Sequence, residues 1–170
     1  MKINEFTNED GFWKHCEVAA LIINELGINP HTKHHIRGAV REASKKVTNQ
    51  KGSGKNIAPF ISKAVNSYIS KNQTPGFILE HSVPVSYLNQ LVLELPVVTK
   101  ETIGEIIHKW TALSVITEEE HEKLSSLKLS KSMPSDWDGF NKFARYEKAG
   151  IELIDISYKA ARKRFRAGRL

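Results

Sequence analysis

Residues 113–126 read LSVITEEEHEKLSS, a stretch that predicts a short strand running directly into a helix. The segment LSVIT is apolar and rich in β-branched residues, which is typical of a buried strand. Thr117 stands three residues before Glu120, and this spacing predicts a capping box that begins a helix at Thr117. Acids fill the first turn of that helix, where its dipole favours negative charge, and His121 follows in the second turn.

An earlier stretch, residues 78–88, reads ILEHSVPVSYL and predicts another short strand, which ends in Glu80 and His81. Two titratable neighbours are costly at the end of an apolar strand, because a charge removed from water must be paired. They become useful if one binds a metal ion and the other moves a proton. The alternative is structural: Glu80 pairs with a lysine, and His121 is an ordinary exposed residue of its helix.

Helical periodicity dominates the rest of the chain. One helix is predicted to end at Gly27, another to follow a cap at Thr32, and another to run from Pro59 to about Ser70. A further helix begins at Thr99. Residues 87–95 are compatible with a helix or a strand. After Pro134 a turn is expected, followed by three aromatic residues that pack back on the domain: Phe140, Phe143 and Tyr146.

These patterns predict an α+β fold that is predominantly helical. The organisation expected is a helical N-terminal region over residues 1–76, a ββα element with a helical insertion over 77–134, and a helical C-terminal region with a basic tail over 135–170.

Composition excludes several classes of protein. The chain has 170 residues, of which 40% are hydrophobic, enough to form a real core. It contains no apolar stretch of about 20 residues that could span a bilayer and no signal-peptide core at its N-terminus, so we expect an intracellular, cytoplasmic protein without a membrane partner. The single cysteine, Cys16, excludes an internal disulfide and a multi-cysteine zinc site, and its apolar surroundings predict a buried structural thiol.

The net charge of +6 is concentrated at the C-terminus. Removing the basic residues of YKAARKRFRAGRL leaves residues 1–158 formally neutral. Cations interleaved with Tyr158 and Phe165 favour contact with a nucleic-acid backbone, although a solvated helix end is the simpler alternative. The nucleic-acid-binding residues predicted here are Lys159, Arg162, Lys163, Arg164, Arg166 and Arg169.

The two strand stretches together resemble the HNH nucleases, the ββα-metal family. LEHSVPVSYL is similar to the family's first element, in which an acid or histidine precedes a histidine and an aliphatic-proline step. SVITEEEHEKLSS is similar to its second strand and metal-binding helix, in which a histidine follows a Val-Thr pair. The resemblance covers roughly residues 77–134, about a third of the chain.

The resemblance implies a role for each matched residue. His81 would be the general base that takes a proton from the water attacking a phosphodiester. Glu80 and His121 would be ligands of one divalent ion, Mg²⁺ or Mn²⁺, with Zn²⁺ or Ni²⁺ also accepted by such a site. The function implied is metal-dependent cleavage or nicking of DNA, with double-stranded DNA held by the N-terminal helices and the basic tail.

Two positions depart from the family pattern. Ala112 stands near the place of the Asn that orients the base, and Ser125 stands one helical turn after His121, where the last ligand should be. Asp136 or Asp138 is a candidate replacement ligand. Two alternatives therefore stay open: a nucleic-acid-binding protein that has lost the chemistry, and a helical protein-interaction module.

A separate histidine cluster, HTKHH, contributes His31, His34 and His35. His31 and His35 have the spacing of a helical metal site, but no cysteine or carboxylate stands close by. Histidines that face solvent or phosphate beside Lys33 and Arg37 are the preferred interpretation.

Overall fold

A computed structural model describes residues 9–47, 55, 58–73 and 75–157. The helices are α1 Glu9–Leu26, α2 Pro30–Lys46, α3 Lys63–Ser70, α4 Val85–Leu93, α5 Lys100–Trp110, α6 Glu118–Ser126 and α7 Ala144–Lys148. The strands are β1 Phe60–Ser62, β2 Phe77–His81, β3 Leu113–Thr117 and β4 Leu153–Asp155. The predicted α+β class with a predominance of helix is therefore confirmed. No helix among the described residues is long and apolar enough to cross a membrane.

Contacts along the backbone divide the chain into two compact units. A helical unit combines Met1–Asn49 with Val83–Thr111 and holds α1, α2, α4 and α5. A sheet unit combines Gln50–Ser82 with Ala112–Leu170 and holds the four strands with α3, α6 and α7. The second segment of the helical unit is thus inserted in the sequence between β2 and β3. This division differs from the three consecutive segments expected from the sequence.

In the helical unit, α1 contacts α2 and α5, and α4 also contacts both of those helices. The turn after α1 uses Gly27 at a φ of +69°, a conformation that glycine adopts without strain. The cap of α2 is Asn29, whose side chain accepts hydrogen bonds from the backbone of His31 and Thr32. The predicted cap, Thr32, is instead the third helical residue and completes the capping box.

Cys16 lies in the core of the helical unit with a side chain that is fully buried. Burial raises the pKa of its thiol to about 12, with the charge of Glu101 adding to the effect. A thiol that resists ionisation is a poor nucleophile, so Cys16 fills space in the core, as predicted.

The sheet unit is built on strands in the order β2-β3-β1-β4. β3 is antiparallel to β2 and parallel to β1, while β4 is antiparallel to β1. Successive side chains of a strand point to opposite faces, and cross-strand partners share a face. Helix α3 covers one face and contacts Leu79, Leu113 and Val115, whereas α6 and α7 cover the other and contact Ile78 and Ile116. The unit is therefore a small three-layer domain with a core on each side of the sheet.

Two of these elements differ from the sequence prediction. Residues 60–62, expected in the first turn of a helix, form β1, and the helix begins only after Ser62, whose side chain accepts a hydrogen bond from the backbone of Val65. Strand β4 lay in a segment with no predicted strand. Residues 87–95, left open between helix and strand, contribute to α4.

Aromatic residues after Pro134 follow the prediction in part. Tyr146 is fully buried, and the ring of Phe143 meets that of Phe60 edge to face at 5.0 Å. Phe140 was predicted to pack back as well, which is wrong: its side chain is 82% exposed. It follows Gly139, which adopts a φ of +78°.

The join between β2 and β3 is closed by hydrogen bonds that lie within the sheet unit. The backbone N–H of Ser82 donates to the carbonyl oxygen of Ala112 at 2.8 Å, and the N–H of Ala112 donates to the Ser82 hydroxyl at 3.2 Å. The chain therefore leaves the sheet at Ser82 and returns beside it at Ala112.

The capping box predicted at the start of α6 is confirmed. The Thr117 hydroxyl accepts from the backbone of Glu120 at 3.2 Å, and the Glu120 carboxylate accepts from the backbone of Thr117 at 2.9 Å. We expect Thr117→Ala to lower the free energy of unfolding by about 1 kcal/mol, because a buried helix end loses its cap. Chemical denaturation measures this, and Ser126→Ala at the other end of α6 is the control. Equal effects of the two variants would contradict the role of the cap.

Candidate functional site

A cluster of polar side chains lies on the α6 face of the sheet, where β2 ends. Glu80 is the last residue of β2 that points to this face, and its cross-strand partner on β3 is Ser114. Helix α6 begins directly after β3, so its second turn carries His121 over the end of β2. The Glu80 Oε2 and His121 Nδ1 atoms are 3.4 Å apart. Two residues separated by forty positions in the sequence are thus brought together.

Arg145, on α7, holds the other oxygen of the Glu80 carboxylate. The Arg145 side chain is fully excluded from solvent. Its Nη2 donates one hydrogen bond to Glu80 Oε1 and another, at 2.8 Å, to the carbonyl oxygen of His81. Its Nη1 donates to the carbonyl oxygen of Leu129 at 2.6 Å. One guanidinium therefore ties the end of β2 to the loop after α6 and fixes the orientation of the Glu80 carboxylate.

Tyr146 and Ser114 complete the buried part of this cluster. The Tyr146 hydroxyl lies beside the Ser114 hydroxyl and the Arg145 guanidinium, and both hydroxyls are buried. Burial raises the pKa of Tyr146, since the phenolate would be removed from water, and the nearby Glu80 carboxylate adds to the effect. Tyr146 is consequently neutral in this cluster.

The geometry of Glu80 and His121 fits two ligands of a single metal ion. Atoms that each lie about 2.1 Å from one ion are separated by roughly 3.0 Å in octahedral and about 3.4 Å in tetrahedral coordination. The observed separation is 3.4 Å, and His121 Nδ1 is buried without a hydrogen-bond partner among the described residues. In such a site Arg145 would be the outer partner, since carboxylates that bind metals are themselves hydrogen-bonded. No group of three or more His, Cys, Asp or Glu side chains in the described ranges is arranged to hold a metal.

His81 does not join this pair on the same face. It follows Glu80 in β2, so strand alternation directs its side chain to the α3 face, which it shares with Leu79 and its cross-strand partner Leu113. The residue is 8% exposed. Its carbonyl oxygen reaches the polar cluster through Arg145. Of the three residues that the resemblance groups into one site, Glu80 and His121 therefore share the α6 face and His81 does not.

The residues suggested as departures or replacements are engaged elsewhere or exposed. Ala112 makes the backbone bonds that close the β2–β3 join. Ser125 is exposed at the end of α6. Asp136 pairs with Lys148 at 2.9 Å, and the Asp138 carboxylate accepts from the backbone of its own turn, at Phe140 and Asn141. These hydrogen bonds lower the pKa of Asp136 and of Asp138, so both carboxylates stay ionised.

The other predicted binding residues are the cations of the basic tail and the histidines of α2. All six cations of the basic tail, Lys159 to Arg169, fall outside the described residues and stay a prediction. His31, His34 and His35 are exposed on α2, with the rings of His34 and His35 5.0 Å apart.

Arg145, Tyr146 and Ser114 were missed by the sequence reasoning. A fully buried arginine is unusual, and ARYEKAG gives no local sign of it, because the groups that require it are far away in the sequence. The signal that existed was Glu80 itself, since an acid in a buried strand demands a cation and any arginine or lysine could supply it.

Comparison with known proteins found no match to this chain. No family model matches the chain, no curated protein matches it, and no solved structure matches it.

Proposed function

We propose that this protein is a divalent-metal-dependent endonuclease or nickase of the ββα-metal (HNH) kind, acting on the phosphodiester bonds of DNA. The observation that carries the proposal is the approach of Glu80 and His121 to 3.4 Å within an antiparallel strand pair that runs directly into a capped helix. The order of these elements and the residue types at positions 80 and 121 resemble the arrangement that the family uses to hold its ion, whereas Ala112 and Ser125 depart from it.

Glu80 and His121 would hold the ion, with Arg145 keeping the carboxylate in place. The ion, when bound, would stabilise negative charge on the phosphate and on the leaving oxygen. Because Arg145 neutralises Glu80, the pair attracts a cation weakly by itself. Mg²⁺ commonly completes its shell with waters and substrate phosphate oxygens, so we expect metal and DNA to strengthen each other's binding.

His81 would act as the general base. Its imidazole would take a proton from a water molecule, whose oxygen then bonds to phosphorus while the bond to the leaving sugar oxygen breaks. Glu80 and His81 point to opposite faces at the end of β2, which lies at one edge of the sheet within the described residues, and this placement counts against the role of His81.

Nicking of supercoiled plasmid in Mg²⁺ or Mn²⁺ tests the proposal. The wild-type protein should nick and a chelator should stop it, whereas His121→Ala should weaken metal binding by at least the tenfold that loss of an outer partner costs. The control is Ser125→Ala, one turn later on α6, which should nick normally. Nicking that survives chelation, or that is unchanged in His121→Ala, would contradict the proposal.

A second candidate is a nucleic-acid-binding protein without catalysis on the same scaffold. It is favoured by the buried Arg145, which already satisfies one oxygen of Glu80, and by the direction of the His81 side chain. Such a protein would shift DNA on a gel with a steep dependence on salt and would leave the plasmid intact in every metal.

Adding a ligand gives a positive test of the metal site. Position 125 follows His121 by four residues, which places both side chains on one face of α6, so Ser125→His should raise the affinity for Zn²⁺ or Ni²⁺ at least tenfold. Titration calorimetry measures this. Ser126→His adds the same group about 100° further round the helix and should have little effect. Equal gains in the two variants would indicate adventitious binding to a surface histidine.

A further inference from the structure

The outward face of α2 carries a strip of basic side chains that the proposed chemistry does not use. We define the basic strip as Lys33, His34, Arg37 and Arg41, all of which are exposed. Arg37 follows Lys33 by four residues and Arg41 follows Arg37 by four, so the strip advances by about one turn at each step. None of the four forms an ion pair with a described carboxylate. The one acid of α2, Glu42, is engaged by Lys45 at 2.6 Å.

We propose that the basic strip is a binding surface for the phosphate backbone of DNA, an inference that rests on the proposed function for the identity of the polymer. From Lys33 to Arg41 the helix rises about 12 Å. One strand of a duplex places a phosphate every ~3.4 Å along its axis, so the strip would face three or four phosphates.

The placement of charge along α2 supports an anionic partner. Its first turn contains no acid, and Lys33 stands near the end of the helix where the dipole disfavours cations. A phosphate backbone lying along the strip would relieve that repulsion.

Gly38 supports a partner that comes close to the helix. It lies inside α2 on the exposed side, one turn from His34 and one turn from Arg41, and a Cβ added there would meet nothing within 4 Å. Glycine inside a helix is unfavourable relative to alanine. Its presence at the middle of the strip leaves a shallow gap into which a backbone can fit between flanking cations.

The chemistry of α2 favours nucleic acid over a membrane surface. Helices that lie on membranes present large apolar side chains beside their cations. The apolar residues of α2 face the interior instead, where Ile36, Val40 and Ala43 are fully buried.

A binding assay with matched variants tests the inference. A short labelled DNA duplex is titrated with the full chain in chelator, so that binding is measured apart from cleavage. Arg37→Ala/Arg41→Ala should weaken binding about tenfold and reduce the slope of log affinity against log salt by about 2. Lys71→Ala/Lys109→Ala, which removes two exposed lysines from other elements, should change neither quantity appreciably. Equal losses in both double variants would overturn the inference.

A second pair of variants separates the effect of charge at position 38 from the effect of filling the space there. Gly38→Gln and Gly38→Glu fill the same space and have similar helix propensity, but only the carboxylate repels phosphate. We expect Gly38→Glu to bind DNA several-fold more weakly than Gly38→Gln. Equal affinities would overturn the inference, as would strip-dependent binding to vesicles of phosphatidylserine and phosphatidylcholine without binding to DNA. Strip-dependent DNA binding without nicking would leave the inference standing and count against the proposed catalysis alone.

Discussion

Arg145→Ala should lower the free energy of unfolding by about 3–5 kcal/mol, the largest stability loss that we expect from any single substitution of the described residues. The guanidinium is fully buried and serves the Glu80 carboxylate and the carbonyl oxygens of His81 and Leu129 at once. Its removal leaves a largely buried negative charge and two acceptors without their donor. Thermal unfolding should show a fall in Tm of roughly 10 °C or more.

The matched control lies on the same helix. Lys148 pairs with Asp136 at 2.9 Å, but both side chains are more than half exposed, so Lys148→Ala should cost no more than about 1 kcal/mol. A double variant, Glu80→Leu/Arg145→Leu, should recover part of the loss because it removes the unpaired charge. If Arg145→Ala were as mild as Lys148→Ala, the guanidinium would not be the structural centre of this site.

His81→Ala should reduce metal-dependent nicking by about 10²–10⁴-fold while leaving DNA affinity nearly unchanged. A general base acts on the rate of the chemical step and contributes little to binding of the ground state. Since His81 is 8% exposed, His81→Asn should be measured beside it, because asparagine keeps a polar side chain of similar size but cannot act as the base. Single-turnover nicking and duplex binding, measured on folded variants, give the two quantities.

His15→Ala provides the control for that experiment. His15 is a half-buried histidine of α1 in the helical unit and lies outside the strand and helix elements of the proposed site. The His15→Ala variant should nick DNA at the wild-type rate. Wild-type nicking by both His81 variants would instead mean that the base is another residue, with the partly exposed His121 as the next candidate.

The parts of this structure that were predictable from sequence are those set by local signals. β3 and α6 are specified by a β-branched run and a capping box within fourteen residues, and the structure agrees with both. Pro30 also carried a local signal: proline prefers the first helical position, which makes Asn29 the cap and not Thr32. Strand β1 is only three residues long, too short for alternation to distinguish it from the helix that follows.

The site itself depended on contacts that no local pattern encodes. Arg145 meets Glu80 across 65 positions of sequence. Motif resemblance placed Glu80, His81 and His121 in one group, but neighbours in a strand necessarily face opposite ways. The register of β2 against β3 then decides which of them shares a face with α6, and here it is Glu80.

The paired hydrogen bonds between Ser82 and Ala112 hold together the two ends of the segment from Val83 to Thr111, so the pairing of β2 with β3 does not depend on how long that segment is. Loop-closure entropy grows only with the logarithm of length, so exchanging this segment for a tight hairpin would alter the cost of joining β2 to β3 by only about 2 kcal/mol. The segment nevertheless carries α4 and α5, which contact α1 and α2, so the sheet tolerates changes in its length while the helical unit depends on its packing. The join between Ser82 and Ala112 is therefore a position at which a sequence inserted between β2 and β3 should leave the pairing of the two strands intact.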